Sequence, residues 1–250
     1  MIHSVIVNAD DLGLSREINK GISKGMEKGV VSDASLMIEA PCSGDALEGL
    51  KTLGVGHIGI HVNIDEQIGW DIHGKERFSR NDLMSMLASE DFLAVCRERV
   101  RAQIEKVMSS GLSPTHIDSH HHVHGFPPIF SMILDLAIEY GIPAMRFSAD
   151  GYTLTTREPI PFHASVYRTM REALEREQIF FCKSMMEGAR KIPDISSFPA
   201  ELVVHPSSGG DPWREGELET LLSDAFHEAV HDRDVHLVSY KDLIGRRSDP

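Results

Sequence analysis

The chain predicts an α/β fold, an irregular TIM-like (β/α) barrel, and three observations lead there. Short apolar runs alternate with longer segments of helical period, the order of a parallel sheet with crossover helices. About seven such units fit within 250 residues as one domain, 1–250. The residues that carry chemistry fall at the ends of the strand candidates, where barrel sites are built. A doubly wound open sheet competes, but no Gly-x-Gly-x-x-Gly turn follows the first strand, so a dinucleotide fold is disfavoured.

The first strand candidate, 2–9, is an apolar run ending at Asn8. A helix over 15–29 opens on Ser15, a good N-cap. Strand 31–38 and helix 42–53 continue the alternation, followed by strand 57–64. Residues 65–90 are polar and irregular, with Trp70 among them, and are expected to form a substrate loop or lid. Helix 91–110 leads through a Gly111–Pro114 turn into strand 115–123, which a Gly-Phe-Pro-Pro break closes. Helix 127–141, strand 143–148 and helix 164–177 come next. Strand 200–206, helix 215–232 and strand 235–239 complete the chain, with further excursions at 149–163 and 183–199.

Composition narrows the function. Hydrophobic residues make up 41% and charged residues 25%, enough for a sizeable core. A formal net charge of −13 argues against nucleic acid or an anionic membrane as partner, since both need clustered Lys and Arg. No apolar stretch approaches the ~20 residues of a spanning helix, and the N-terminus lacks a basic leader. Cys42, Cys96 and Cys182 are scattered and odd in number, which suits free thiols in a reducing compartment. The expectation is a cytoplasmic protein, with no substrate identified by composition alone; a homodimer is compatible with the chain.

The run Thr-His-Ile-Asp-Ser-His-His-His-Val-His at 115–124 is unlike an ordinary core strand. Imidazole and carboxylate are the usual protein ligands of a divalent transition metal. Strand periodicity puts His116, Asp118, His120, His122 and His124 on one face, and Ile117, Ser119, His121 and Val123 on the other. Five such groups cannot all bind one ion, so some must orient the ligands or meet substrate.

Three other segments can complete a site. Asp10 and Asp11 follow Asn8-Ala9 at the end of the first strand, and adjacent carboxylates repel unless a cation or proton separates them. Dipole help at the following helix is the plainer role for either acid. In Gly59-Ile60-His61-Val62-Asn63, alternation sets Gly59, His61 and Asn63 on one face, where a lone His is as readily a hydrogen-bonded core residue. His205 ends an apolar strand before a Gly-rich turn, the position of a barrel catalytic residue or of a structural His before Pro206. Arg146 lies near another strand end, where it can hold a buried carboxylate ionised or join a surface ion pair.

Together these stretches resemble the YdjC-like carbohydrate deacetylase family, with its chitooligosaccharide deacetylases and a hopanoid-associated branch. The matching segments are Asn-Ala-Asp-Asp-Leu-Gly-Leu-Ser at 8–15, Gly-Ile-His-Val-Asn at 59–63, Pro-Thr-His-Ile-Asp-Ser-His-His-His-Val-His at 114–124 and Val-Val-His-Pro at 203–206. The first and third are the specific ones. The resemblance implies a fold like that of polysaccharide deacetylases and removal of an acetyl group from an N-acetylated sugar or oligosaccharide. It implies one divalent ion, Mg2+ or Zn2+, on Asp11, His61 and His124, with Asp10 as general base and His205 as general acid. Asp118, His120, His122, Arg146 and Trp70 are then expected to bind substrate or to fix the ligands. The chain departs from its relatives after His61, with Val-Asn-Ile-Asp-Glu-Gln, and after Pro206, with Ser-Ser-Gly-Gly, both in expected substrate loops.

Two rivals stand beside this expectation. A two-metal amidohydrolase or phosphoesterase would want His-x-His on the first strand, where this chain has Asp-Asp. An inert metal- or sugar-binding protein would lack Asp10 or His205, and both are present.

Overall fold

β1 (His3–Leu12) is the central strand of a parallel sheet. The structure is a computed structural model that describes residues 3–69, 80–147, 153–154, 158–159 and 164–245. After β1 come α1 (Arg16–Glu27), β2 (Asp33–Leu36), α2 (Ser43–Thr52), β3 (His57–Val62), α3 (Arg80–Leu87), α4 (Glu90–Ser109) and β4 (Ser113–Ser119). A 3-10 turn over His120–Gly125 leads to α5 (Pro127–Glu139), then β5 (Thr153–Leu154), β6 (Glu158–Pro159), α6 (Ala164–Arg176) and β7 (Ser184–Glu187). A second 3-10 segment, Ala189–Asp194, precedes β8 (Ala200–Val204), α7 (Pro212–Leu221), α8 (Asp224–Asp232), β9 (Val235–Leu237) and α9 (Tyr240–Gly245).

The strand order is β4-β3-β2-β1-β8-β7, with β9 pairing the start of β1. Parallel bridges carry the sheet further, from Ile117 of β4 to Met145 and from Ala144 to Phe180. Backbone bonds seal these steps: Ile117 N donates to Ala144 O at 3.0 Å and Met145 N to Phe180 O at 2.9 Å. Phe180 lies just ahead of β7 in the chain, and β7 pairs β8, so the pairing comes back to β1. This is the irregular (β/α) barrel the alternation predicts.

Alternation along each strand separates two cores. Val5, Val7 and Ala9 face outward and join Ile58, Ile60, Ile117, Met145, Leu202 and Val204 in a large core shared with the helices. Ile6 faces inward and packs with Ala144, Phe180, Cys182 and Tyr240, the last brought in by α9. Above this apolar floor the inward positions turn polar: Asn8, Asp10, Ser35, His61, His116, Asp118, Arg146 and Glu201 are all buried. Ser15 caps α1 as expected, accepting from Ile18 N at 3.2 Å.

Several elements differ from the sequence reading. Strand 115–123 ends at Ser119, because His121 and His122 both adopt a left-handed φ of 52° and turn the chain. The face assignment therefore holds for His116 and Asp118 and lapses from His120 onward. Among its described residues the 143–148 run contributes isolated bridges, at Ala144 and Met145. The 215–232 segment is two helices, broken where Ser223 caps α8 through Phe226 N. Within 65–90 the structure has α3, and Trp70 lies outside the described residues.

Candidate metal centre and active site

Neighbouring residues of a strand point to opposite faces, so Asp10 and Asp11 should diverge. They do not, because Asp11 has φ 66° and the β1–β2 register shifts between Ala9 and Leu12. The bulge turns both carboxylates into the mouth of the barrel. Asp11 Oδ1 lies 3.3 Å from His61 Nε2 and 2.9 Å from His120 Nδ1. Asp11, His61 and His120 offer ligand atoms within 4.8 Å of one another, and all are buried. One carboxylate and two imidazoles are a donor set that suits a divalent transition ion.

A polar network under this group holds it in place. Asp118 Oδ1 accepts from His61 Nδ1 at 2.7 Å, which fixes that ring and leaves Nε2 toward Asp11. Ser35 Oγ donates to Asp118 Oδ2 at 2.7 Å and meets His116 Nε2 at 3.1 Å. Asn8 Nδ2 donates to Asp10 Oδ1 at 2.8 Å and to Ser35 Oγ at 2.9 Å. Arg146, fully buried, lays its fork on Asp10, Nη1 to Oδ2 and Nη2 to Oδ1, both at 2.7 Å. The same guanidinium reaches Asp118 Oδ2 at 2.8 Å and, through Nε, Glu201 Oε1 at 2.9 Å. Glu201 Oε2 accepts from Tyr240 Oη at 2.7 Å, and the Tyr240 ring stacks on His116 at 3.9 Å. Arg146 is thus in a buried ion cluster rather than on the surface.

Charge states follow from these contacts. Burial pushes the Asp10 carboxyl up, but Arg146 and then His61 outweigh it and hold it below the ordinary value. Burial likewise opposes ionisation of Asp11, and His120 with His61 brings it well down. Burial depresses His61, but Asp118 and then Asp10 outweigh it and raise it to about 10. Burial takes His116 down to about 3, a neutral support beneath the site. His205 is lowered, first by burial, against the pull of Asp11 and Asp10.

The remaining expected residues fall around this group. His124 is fully buried, with Ser119 Oγ at 2.5 Å from Nδ1, and lies outside the 4.8 Å set. Burial, then His122 and Arg146, hold its pKa well below the ordinary imidazole value. His122 Nε2 makes a short hydrogen bond to Glu187 at the end of β7, away from Asp11. His121 Nδ1 meets Asp65 Oδ2 at 3.1 Å, and His120 Nε2 lies 3.8 Å from the same oxygen. His205 follows β8, its ring 5.3 Å from that of Trp213.

Sequence reasoning missed Asp65, Glu187, Glu201 and Arg214. Arg214 Nη2 holds Asp11 Oδ2 at 2.6 Å from α7. A carboxylate inside the apolar Ala-Glu-Leu-Val-Val strand was a readable signal for Glu201. Arg214 sits on a helix far along the chain, and no local pattern marks it.

Comparison with known proteins places the chain among named relatives. A family model described as YdjC-like protein matches residues 4–232. A carbohydrate deacetylase of Brevibacillus brevis is 30% identical over 262 residues, covering 96% of this chain and 99% of its own. A chitooligosaccharide deacetylase of Proteus mirabilis is 28% identical, covering 98% of this chain and 100% of its own. A crystal structure of an Enterococcus faecalis protein, whose proposed role is cellobiose-phosphate cleavage, superposes with a TM-score of 0.70. That protein is 23% identical over 96% of this chain and 98% of its own, and supports the fold.

Proposed function

The chain belongs to the YdjC-like protein family, and on that premise we propose that it is a metal-dependent hydrolase removing an acetyl group from an N-acetylated sugar or oligosaccharide. The observation that carries the reading is the buried convergence of Asp10, Asp11 and His61 at one end of the barrel, with Arg146 on Asp10. The name carbohydrate deacetylase, borne by relatives that match nearly the whole chain, supports the substrate class.

The proposed ligands of a single divalent ion, magnesium or zinc, are Asp11, His61 and His124. Asp118 on His61 and Ser119 on His124 are the partners that select which ring nitrogen faces outward. His120 is the competing third ligand, being the imidazole nearest Asp11. When bound, the ion makes its water more acidic and polarises the amide carbonyl. Asp10, kept ionised by Arg146, takes the proton of the attacking water. His205 gives a proton to the nitrogen as the C–N bond breaks, so that a neutral amine leaves. Asp65, His120 and His121 also form a group with ligand-like spacing, the observation that favours a two-ion hydrolase. One ion per chain fits the deacetylase, two the rival. Cytoplasmic residence is proposed from three cysteines that stay free thiols.

The test is amine release from N-acetylglucosamine and N,N′-diacetylchitobiose, with chelator and after reloading with defined metals. Asp10→Asn is expected to keep the ion and lose roughly 10²–10⁴-fold in turnover. Undiminished release by Asp10→Asn, or by the chelated protein, refutes the mechanism.

A further inference from the structure

We propose that Trp213 is the platform on which the pyranose ring carrying the scissile amide stacks, a subsite that rests on the deacetylase reading. Trp213 stands in the first turn of α7, where Asp211 Oδ1 accepts from its backbone N–H at 3.0 Å. Its indole is 58% exposed, the only exposed aromatic ring among the described large hydrophobic residues. An indole left in water forgoes a large hydrophobic gain, and it stands here at the site rather than on a remote face. The ring lies 5.3 Å from that of His205, tilted by 39°. The Arg214 guanidinium lies 5.4 Å from the indole centroid, and its Nη2 holds Asp11 Oδ2 at 2.6 Å. One two-residue stretch of α7 therefore ties the exposed indole both to the acid and to the acidic end of the site.

The chemistry states what belongs at that place. His205 must come within hydrogen-bond reach, about 2.8 Å, of the departing nitrogen. That nitrogen is bonded directly to a ring carbon of the sugar, so the pyranose must lie one bond beyond the atom His205 serves. An indole beside the imidazole borders the region this ring has to enter. The C–H face of a pyranose is apolar while its rim is hydroxylated. A flat ring with one polar N–H, apolar in the middle and wet at the edge, complements both. Lysine or arginine in this position would reward charge; tryptophan rewards a flat apolar face. The site is thereby selective for acetamido sugars over acyclic N-acetyl amines that present the same bond.

Two substrates and two variants test this. On N,N′-diacetylchitobiose, Trp213→Ala is expected to raise KM about tenfold, about 1.4 kcal/mol, with a much smaller change in kcat. Trp213→Phe is expected to recover most of that loss. On N-acetylethanolamine, which has no ring, Trp213→Ala should lose much less in kcat/KM than it does on the disaccharide. Adding the deacetylated disaccharide should change the indole emission of the wild type, and Trp213→Phe should lose that change. Unchanged KM for the disaccharide in Trp213→Ala overturns the platform, as does an equal loss on both substrates, which marks a structural role. If the wild type releases amine from no N-acetylated sugar, the deacetylase reading itself fails, a result separable from either.

Discussion

Replacing Arg146 tests the electrostatic design of the barrel interior. Its guanidinium is fully buried and bonded to Asp10, Asp118 and Glu201 at 2.7–2.9 Å. Removing one partner of a buried ion pair costs ~3–5 kcal/mol, because the other partner is left charged and dry. Arg146→Met leaves three carboxylates in that position, so a loss of about 4 kcal/mol is the working figure, a large share of a domain's stability. If about half of it falls on Asp10, the acidic limb of amine release moves up by about 1.5 pH units. The stability change also has a sign. In the wild type the lowered Asp10 pKa contributes stability above the ordinary carboxylate value, lost as pH falls through the lowered one. Without Arg146 burial dominates, the Asp10 pKa rises above its unfolded value, and stability is lost as pH rises. Arg146→Lys keeps the charge but not the parallel pair of bonds, and should fall between. Guanidinium denaturation at several pH values and the pH profile of kcat/KM are the assays. A methionine variant within about 0.5 kcal/mol of wild type, with an unmoved acidic limb, would refute the reasoning.

Other expectations follow from single contacts. A Cβ at Gly59 would lie 2.3 Å from the His116 ring and 2.8 Å from Ser35 Oγ. With His116 stacked on Tyr240, Gly59→Ala should cost about 1–3 kcal/mol by denaturation. Burial raises the Asp33 carboxyl to about 7, against bonds from Tyr240 and Ala34 N–H groups. Its contribution is present below the unfolded carboxylate value and lost as pH rises through about 7, so Asp33→Asn should flatten the fall in thermal stability across that window. His124→Ala is expected to release the ion and His120→Ala to retain it, read as metal per chain after dialysis; the opposite result makes His120 the third ligand.

The barrel was legible because short apolar runs alternate with helix-period segments, and the strands so marked do carry opposite faces, as at Val5, Ile6 and Val7. Strand periodicity set His61 on one face with Gly59 and Asp118 on one face with His116, and His61 and Asp118 meet at 2.7 Å. The rule failed where backbone dihedrals leave strand geometry. His121 and His122, both at φ 52°, send successive imidazoles toward Asp65 and Glu187, and no periodicity encodes that turn. Residues supplied by distant helices were illegible for another reason: Arg214 and Tyr240 reach the barrel only through tertiary packing.

The positive φ of Asp11 limits that position independently of its chemistry. Glycine visits this region freely, and asparagine, aspartate and histidine more readily than most; a bulky or β-branched side chain incurs about 1–2 kcal/mol. A glutamate there, though equally charged, would distort the bulge before any ion arrived. Asparagine is therefore the substitution at residue 11 that removes the charge while sparing both the side chain's shape and the bend that aims it.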